Sequence, residues 1–246
     1  MATFILIHGA FHGGWCWERI VPLLAAKGHE VIAPDLPGMG RDTTPFADDT
    51  LTQWAEFTAG LVRRAQGPVI LAGHSQGGAV VAQAAELVPE QIAHLAFVAA
   101  LVMENGGTLL RGRDLETLEE GSHGMLIFSA DKRQMRVDPD KAKAAFCSRM
   151  TPGDAQAAAE RMTPQPISLM KTPLQLTPER FGTVPRAYLE AADDLALSLA
   201  YQREMQRNWP CDPVITLDSD HSPFYSAPEA LAEALLSLLQ PRLSLA

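Results

Sequence analysis

The chain has 246 residues, of which 47% are hydrophobic and 20% charged, so it is long enough to form one large globular core. Its formal net charge is −9, and this acidity disfavours nucleic acid or an anionic membrane as a partner, because both attract a basic face. No run approaches the ~18 apolar residues of a membrane-spanning helix.

Short apolar strands alternate with helices along most of the chain. The first segment leads directly into HGAFHGGW, and we interpret it as a strand rather than a secretory leader. Strands are expected at residues 3–7, 29–34, 69–73, 93–99, 186–190 and 213–217, and helices at 50–62 and 228–239. Most of these strands are apolar on both faces, as in a parallel sheet that is covered on both sides. The pattern predicts a doubly wound, mostly parallel α/β sheet.

The alternation stops between residues 103 and 182. Helical patterns at 140–148 and 151–160 are expected there, and no strand is. Since most connections are short, we expect this block to be a mainly helical cap, inserted into a core of residues 1–102 and 183–246. The cap is expected to lie over the carboxyl edge of the sheet, where open α/β sheets bind ligands.

Residues 73–77 read Gly-His-Ser-Gln-Gly and match the G-x-S-x-G nucleophile elbow. The required context is present, since a buried strand precedes the motif and a helix of small residues follows it. Glycines at both ends allow strand and helix to pass closely, which lifts the serine hydroxyl over the sheet edge. Ser75 is therefore the predicted nucleophile.

A serine hydroxyl needs a base, which is held in turn by an acid, and in this fold the chain order is Ser, Asp or Glu, then His. Of the seven histidines, His221 alone follows the last predicted strand. His74 adjoins the serine, but strand alternation is expected to turn its side chain away. His221 is therefore the predicted base.

Four aspartates compete for the role of the acid. Asp193 and Asp194 follow the strand at 186–190, whereas Asp218 and Asp220 lie beside His221 itself. A neighbour so close in sequence rarely reaches the imidazole at the right angle, so the first pair is favoured. The residues alone do not choose between its two members.

The oxyanion of an acyl-transfer reaction needs two preorganised donors. One is expected to be the backbone N–H of Gln76, directly after the nucleophile, and the other the N–H of Ala10 in the first loop. Phe11 would then border the pocket. The first loop lacks the spacing of a nucleotide-binding loop, so no cofactor is expected. The three cysteines lack metal-site spacing, which predicts a cytoplasmic protein without a metal.

Together these motifs resemble the α/β-hydrolase family of plant methylesterases and hydroxynitrile lyases, which has bacterial esterase relatives acting on bulky esters such as pyrethroids. The resemblance rests on HGAFHGGWCW, the loop at 35–40, GHSQGG, the Asp193-Asp194 loop and the Asp220-His221 pair, and it covers essentially the whole chain. In that family the second acidic residue of the pair belongs to the triad, which implies Asp194. The resemblance also implies the α/β-hydrolase fold.

Three positions separate the two chemistries of this family. Its lyases have threonine, glutamate and lysine where this chain has Gly9, His74 and Ser222. A cyanide leaving group would lack a cation beside His221, so an esterase is favoured. Ser222 and Gln76 both depart from the residues usual among the esterases, which have an apolar residue and a leucine at these places.

The resulting hypothesis is a serine carboxylesterase that cleaves a small to medium apolar ester through an acyl-enzyme, with a small-molecule substrate as its partner and no nucleic acid or membrane. Phe11, Met125 and Phe128 are predicted substrate contacts, and Phe146 and Met170 are further apolar candidates. The alternatives are cyanohydrin cleavage and a slow-turnover ligand receptor. A dehalogenase is excluded because its elbow would carry aspartate at Ser75. The sequence leaves a homodimer open.

Overall fold

The computed structural model describes residues 1–110 and 115–239. Its strands, in chain order, are β1 (Thr3–Ile7), β2 (Glu30–Ile32), β3 (Val69–His74), β4 (Ile92–Val98), β5 (Leu126–Phe128), β6 (Gln134–Val137), β7 (Gln165–Pro166), β8 (Arg186–Ala191) and β9 (Val214–Leu217). Its α-helices are α1 (Ile20–Ala25), α2 (Thr50–Arg64), α3 (Gly77–Leu87), α4 (Leu115–Gly121), α5 (Pro139–Phe146), α6 (Pro152–Arg161), α7 (Ser168–Lys171), α8 (Leu199–Met205), α9 (Pro223–Ser226) and α10 (Pro228–Ser237). Short 3₁₀ turns lie at Gly14–Trp17, Pro89–Gln91 and Phe181–Thr183.

Six strands form one parallel sheet in the order β2-β1-β3-β4-β8-β9. Both faces are covered. One apolar cluster packs α2 and α3 against the sheet, and a second packs α1 and α10 against the opposite face. Side chains on both sides of β1 and β3 are therefore buried, which is why these strands read as continuous apolar runs. The six predicted strands and the predicted parallel sheet are confirmed.

The sheet brings two loops of the first half of the chain together at its carboxyl edge. β1 and β3 are hydrogen-bonded neighbours, and Ile7 at the end of β1 lies opposite Gly73 near the end of β3. The loop after β1 and the turn after β3 therefore emerge side by side. In the described part of the chain, no helix is both long and apolar enough to cross a membrane.

The chain between β4 and β8 contains α4 to α7, as the predicted helices there indicate, but it also contains strands. β5, β6 and β7 form a three-stranded antiparallel sheet, so the expectation of a block without strands is wrong. These strands have only two to four residues, too few to show a two-residue period. The boundaries at 103 and 182 stay a prediction.

The returning end of this segment is tied to α3 by one buried carboxylate. Glu86 accepts hydrogen bonds from the backbone N–H groups of Thr177 (2.9 Å) and Phe181 (3.0 Å), and from the Thr177 hydroxyl (2.7 Å). These donors lie where the chain turns back toward β8. Removing the carboxylate would leave the buried Phe181 N–H without an acceptor.

We expect Glu86→Ala to lower the free energy of unfolding by about 1–3 kcal/mol, because it leaves the buried Phe181 N–H unpaired. Urea unfolding followed by circular dichroism measures the loss. Glu90→Ala, at an exposed position just beyond the same helix, is the control and should change stability by less than about 0.5 kcal/mol. Equal stability of the two variants would contradict the role given to Glu86.

Candidate active site

The turn between β3 and α3 holds Ser75 in a left-handed conformation with φ of 51°. A Cβ at Gly73 would come within 2.6 Å of the Gly77 carbonyl oxygen, and one at Gly77 within 2.6 Å of the His8 carbonyl oxygen. Only glycine fits at either place. The turn is also tied to β4, because the Ser75 N–H donates to the Val98 carbonyl oxygen at 3.2 Å.

Ser75, His221 and Asp194 form a continuous hydrogen-bonded chain. The Ser75 hydroxyl lies 3.0 Å from Nε2 of His221, and Nδ1 of His221 lies 2.7 Å from Oδ2 of Asp194. Because a carboxylate only accepts, Nδ1 carries the ring proton and Nε2 accepts from the serine. His221 is 3% exposed and Asp194 4%, whereas Ser75 is half-buried. This order of groups can activate a hydroxyl as a nucleophile.

Asp194 is turned inward by the loop that follows β8. Its Oδ1 accepts the backbone N–H groups of Ala196 (2.8 Å) and Leu197 (2.7 Å), which leaves Oδ2 to face His221. Gln202 on α8 makes a longer contact with Oδ2 at 3.4 Å. Asp193 instead points to solvent, where it pairs with Arg149 at 3.0 Å. The structure thus places Asp194, and not Asp193, against His221, a choice that the residues alone left open.

The two aspartates beside His221 have other partners. Asp218 is exposed and pairs with Arg149 at 2.5 Å. Asp220 is fully buried and accepts hydrogen bonds from the Arg149 N–H, the Ser222 N–H and the Ser226 hydroxyl. It therefore fixes the backbone of the histidine loop rather than the imidazole.

His74 contacts the triad from behind, a contact that the sequence did not predict. Its Nε2–H donates to the backbone carbonyl of His221 at 2.7 Å, and the two rings are 4.8 Å apart. The side chain does turn away from the serine hydroxyl, but only onto the neighbouring loop. A Cβ at Gly9 would meet Nδ1 of His74 at 2.8 Å, so the packing of His74 excludes any larger residue there.

Two further buried histidines support the first loop. Nδ1–H of His8 donates to the Gly9 carbonyl (2.9 Å) while its Nε2 accepts from the Leu36 N–H, and Nδ1–H of His12 donates to the Ala10 carbonyl (2.6 Å). Burial lowers the pKa of His8 to about 4 and that of His12 to about 4. Burial also lowers the pKa of His74 well below its usual value. All three are neutral at pH 7.

The two amides predicted to bind the oxyanion lie on the adjacent loops at the sheet edge. Within residues 1–110 and 115–239, no acceptor is found for the N–H of Ala10 or the N–H of Gln76. Gln76 directly precedes α3, whose N-terminus favours negative charge. An oxyanion hole needs two such donors, and the role of these two N–H groups stays a prediction.

The side chain of Gln76 forms a contact that sequence reasoning missed. It pairs with the side-chain amide of Gln165 on β7, which also accepts the backbone N–H of Phe11. Gln165 is fully buried. The one signal in the sequence was that Gln76 departs from the leucine usual in the family that the chain resembles; nothing pointed to its partner 89 residues away.

The predicted substrate contacts differ in where they lie. Phe11 is buried next to Ala10, with φ of 63°. Met125 and Phe128 are half-buried and lie just before β5 and at its end, packed against the apolar cluster that contains α2 and α3. Their role in binding stays a prediction. Phe146 at the end of α5 packs on His221, with 5.3 Å between ring centres. Phe146 is therefore the apolar candidate seen against the triad.

The comparison with known proteins agrees with this geometry. Residues 4–234 match the alpha/beta hydrolase family. The chain belongs to that family. It is 34% identical over 250 residues to a pyrethroid hydrolase of Sphingobium wenxiniae, covering 96% of this chain and 86% of that protein.

Further members of the alpha/beta hydrolase family extend the likeness. Methylesterase 2 of Arabidopsis thaliana is 31% identical over 255 residues, covering 96% of this chain and 95% of that protein. The crystal structure of a pyrethroid hydrolase from Sphingobium faniae superposes with a TM-score of 0.80 at 30% identity, covering 96% of this chain and 97% of that one. In the described ranges no three His, Cys, Asp or Glu side chains are grouped as metal ligands would be.

The buried histidines predict how stability depends on pH. In the unfolded chain they bind protons near pH 6.5, but in the folded protein His8 and His12 do so only near pH 4. The unfolded state therefore holds more protons between these values, and the free energy of unfolding falls as pH drops from 6.5, by up to ~1.4 kcal/mol per pH unit for each histidine.

Urea unfolding at pH 7.5, 6.0 and 5.0 measures this slope. His12→Asn, which keeps a donor for the Ala10 carbonyl, should reduce the slope by about one histidine's share. His123→Asn, at an exposed position, should leave it unchanged. A free energy of unfolding that stays constant from pH 7.5 to pH 5.0 would show that these histidines are not held neutral.

The contrast between the two neighbouring aspartates predicts how fast Ser75 reacts. We expect Asp194→Asn to slow labelling of Ser75 by a fluorophosphonate by about 10³–10⁴-fold, because the imidazole loses its orienting carboxylate. Asp193→Asn removes only a surface ion pair and should change the rate by less than about twofold. Both rates are obtained by quenching the labelling reaction at successive times and measuring the labelled fraction by mass spectrometry. Similar rates for the two variants would show that Asp194 is not the acid of the triad.

Proposed function

We propose that the protein is a serine carboxylesterase. The observation that carries the proposal is the hydrogen-bonded chain from the Ser75 hydroxyl through His221 to Asp194. Its relatives are named as a pyrethroid hydrolase and methylesterases, which supports ester hydrolysis as the reaction.

The first half of the proposed reaction forms an acyl-enzyme. Ser75 Oγ attacks the ester carbonyl while Nε2 of His221, 3.0 Å away, takes the hydroxyl proton. Asp194 stabilises the imidazolium and holds its orientation. The N–H groups of Ala10 and Gln76 stabilise the oxyanion that develops on the former carbonyl oxygen. His221 then gives the proton to the leaving alkoxide, and the alcohol departs.

The second half returns the enzyme to its starting state. His221 takes a proton from water, the hydroxide attacks the acyl carbonyl, and the same two amides stabilise the second oxyanion. Ser75 leaves as the alkoxide and regains its proton from His221. The products are an acid and an alcohol, and these residues provide every proton transfer that the reaction requires.

The substrate is proposed to be a small to medium apolar ester. The Phe146 ring packs against the His221 ring, and Phe11 supplies a buried aromatic side chain in the first loop. Apolar walls with few polar groups are typical of sites that bind apolar ligands.

The protein is further proposed to work in the cytoplasm. Its three cysteines are free, which supports a reducing, cytoplasmic setting.

The structure gives no support to cyanohydrin cleavage as the reaction. The side chain of Ser222 is buried and carries no charge that could hold cyanide. At Gly9, a threonine like that of the lyases would collide with His74 and with Cβ of Ser75, 2.9 Å from the ideal Cβ position. Both positions therefore favour the esterase.

The test is hydrolysis of p-nitrophenyl esters from acetyl to octanoyl by wild type, Ser75→Ala and Ser237→Ala, with mandelonitrile in parallel. We expect Ser75→Ala to lose at least ~10⁴-fold of kcat, because the nucleophile is gone. Ser237, on the exposed side of α10, is the matched control and should keep full activity.

The outcomes separate the candidate functions. The chain length with the highest kcat/KM gives the size of the acyl pocket. A folded wild type that hydrolyses none of these esters but releases cyanide from mandelonitrile would be a lyase. Saturable ligand binding without turnover of either compound would indicate a receptor.

A further inference from the structure

The side-chain amides of Gln76 and Gln165 form a reciprocal pair between the core and the cap. Nε2–H of Gln76 donates to Oε1 of Gln165 at 3.3 Å, and Nε2–H of Gln165 donates to Oε1 of Gln76 at 3.0 Å. Gln76 is 6% exposed and Gln165 is fully buried. Paired amides in a buried site are directional, because each donor must face an acceptor.

A third hydrogen bond determines which way the pair is oriented. The backbone N–H of Phe11 donates to Oε1 of Gln165 at 3.2 Å. Since a backbone N–H can only donate, the atom of Gln165 that faces it is the oxygen. The amide of Gln165 is thereby oriented, and so is that of Gln76. Gln165 thus contacts Gln76 of the elbow on one side and Phe11 of the first loop on the other.

Phe11 is the residue in the first loop that most needs support. Its φ of 63° is uncommon for a residue with a large side chain, and such a conformation persists only where its surroundings hold it. The cap binds both of its backbone polar groups, through β7 and the residues just before it. Gln165 accepts its N–H, and the Thr163 N–H donates to its carbonyl oxygen at 2.8 Å. Phe11 directly follows Ala10.

Gln165 is itself held by the cap sheet. It lies opposite Met135 in the antiparallel pairing of β6 and β7, and the Ile167 N–H just beyond it donates to the Arg133 carbonyl oxygen at 3.0 Å. Its backbone position is therefore set by the cap, while its side chain ends between the two loops of the core. A cap displaced from the core would break all three amide contacts together.

We propose that Gln165 is a positioning residue through which the cap aligns the oxyanion hole. Its contact with Phe11 holds the loop that carries the Ala10 N–H, and its contact with Gln76 holds the residue that carries the second N–H. This inference rests on the proposed function, because it takes these two amides as the oxyanion donors. The hole is then complete only when the cap is seated.

The pair also gives the polar side chain of Gln76 a buried partner, at a position where the family that the chain resembles usually has leucine. A buried amide that loses its partner is left with unsatisfied polar atoms, which is worse than an apolar pair of the same shape. Gln76 and Gln165 therefore depend on each other. The Phe11 N–H, however, needs an acceptor whatever stands at position 76, and this separates a positioning role from simple packing.

The experiment compares Gln165→Leu, Gln165→Glu and Gln83→Leu with wild type. Gln165→Glu keeps an oxygen for the Phe11 N–H but loses the donor to Oε1 of Gln76 and adds a buried charge, so it tests the Phe11 contact by hydrogen exchange and not by kcat. Gln83→Leu is the matched control, because Gln83 on α3 exchanges hydrogen bonds with the backbone of Gln175 (2.9 and 3.2 Å) at a distance from the triad. For each variant we would measure kcat and KM for the best p-nitrophenyl ester, and Ki for a trifluoromethyl ketone and for the product alcohol.

A positioning role predicts a specific pattern. Gln165→Leu should lower kcat by about 10- to 100-fold and weaken the trifluoromethyl ketone, which forms an oxyanion on Ser75, by a similar factor. KM and the Ki of the alcohol should change little, since neither involves an oxyanion. Gln165→Glu should keep the Phe11 amide proton as slow to exchange as in wild type, because its carboxylate still accepts the N–H. Gln83→Leu should behave as wild type in every measurement.

Hydrogen exchange gives a readout that needs no activity. The Phe11 amide proton should exchange faster in Gln165→Leu than in wild type or Gln83→Leu, because its acceptor is gone. Mass spectrometry of a peptide that covers residues 8–12 would show this. Unchanged exchange would remove the contact on which the proposal depends.

Two results would overturn the proposal outright. One is a folded Gln165→Leu protein with unchanged kcat and unchanged affinity for the trifluoromethyl ketone. The other is an equal loss of affinity for the ketone and the alcohol, which would mean a distorted pocket. If Gln165→Leu does not fold, Gln165→Met and Gln165→Glu replace it, and equal exchange rates of the Phe11 amide proton in these two would refute the role of the acceptor. A wild type inert toward esters and the ketone would instead refute the esterase.

Discussion

The close approach of strand β3 and helix α3 at residue 75 is the constraint on which the site depends. The chain reverses there within a few residues, so Ser75 takes a positive φ and neither Gly73 nor Gly77 has room for a Cβ. This strain is tolerated because the turn is hydrogen-bonded to β4, through the Ser75 N–H and the Val98 carbonyl oxygen. The exposed hydroxyl and the N-terminus of α3 result from the same turn.

The electrostatics of the site follow from burial. One carboxylate, Asp194, is kept inside because two backbone amides and an imidazole share its lone pairs. His8, His12 and His74 are held neutral, so they donate hydrogen bonds to backbone carbonyl groups without carrying a positive charge. Asp194 is the carboxylate that faces the His221 imidazole.

Local patterns in the sequence predicted the central sheet and the elbow, because buried parallel strands and glycine-flanked turns are encoded by adjacent residues. The strands of the cap escaped prediction because each is too short to show a period. The partner of Gln76 escaped because it depends on how a distant segment folds back, and Phe146 was one of several apolar candidates until the fold placed it on His221. The choice between Asp193 and Asp194 needed the family resemblance, since the deciding contacts are amides of Ala196 and Leu197 that no spacing rule reveals.

The most direct test of this view of the site is to trap the acyl-enzyme. Wild type is mixed with a p-nitrophenyl ester whose acyl-enzyme hydrolyses slowly, and the reaction is quenched with acid within milliseconds. We expect a burst of one p-nitrophenol per chain. Intact mass spectrometry should show one added acyl group, mapped by peptide analysis to Ser75. Steady turnover without a burst or an adduct, or an adduct on another residue, would contradict nucleophilic catalysis by Ser75.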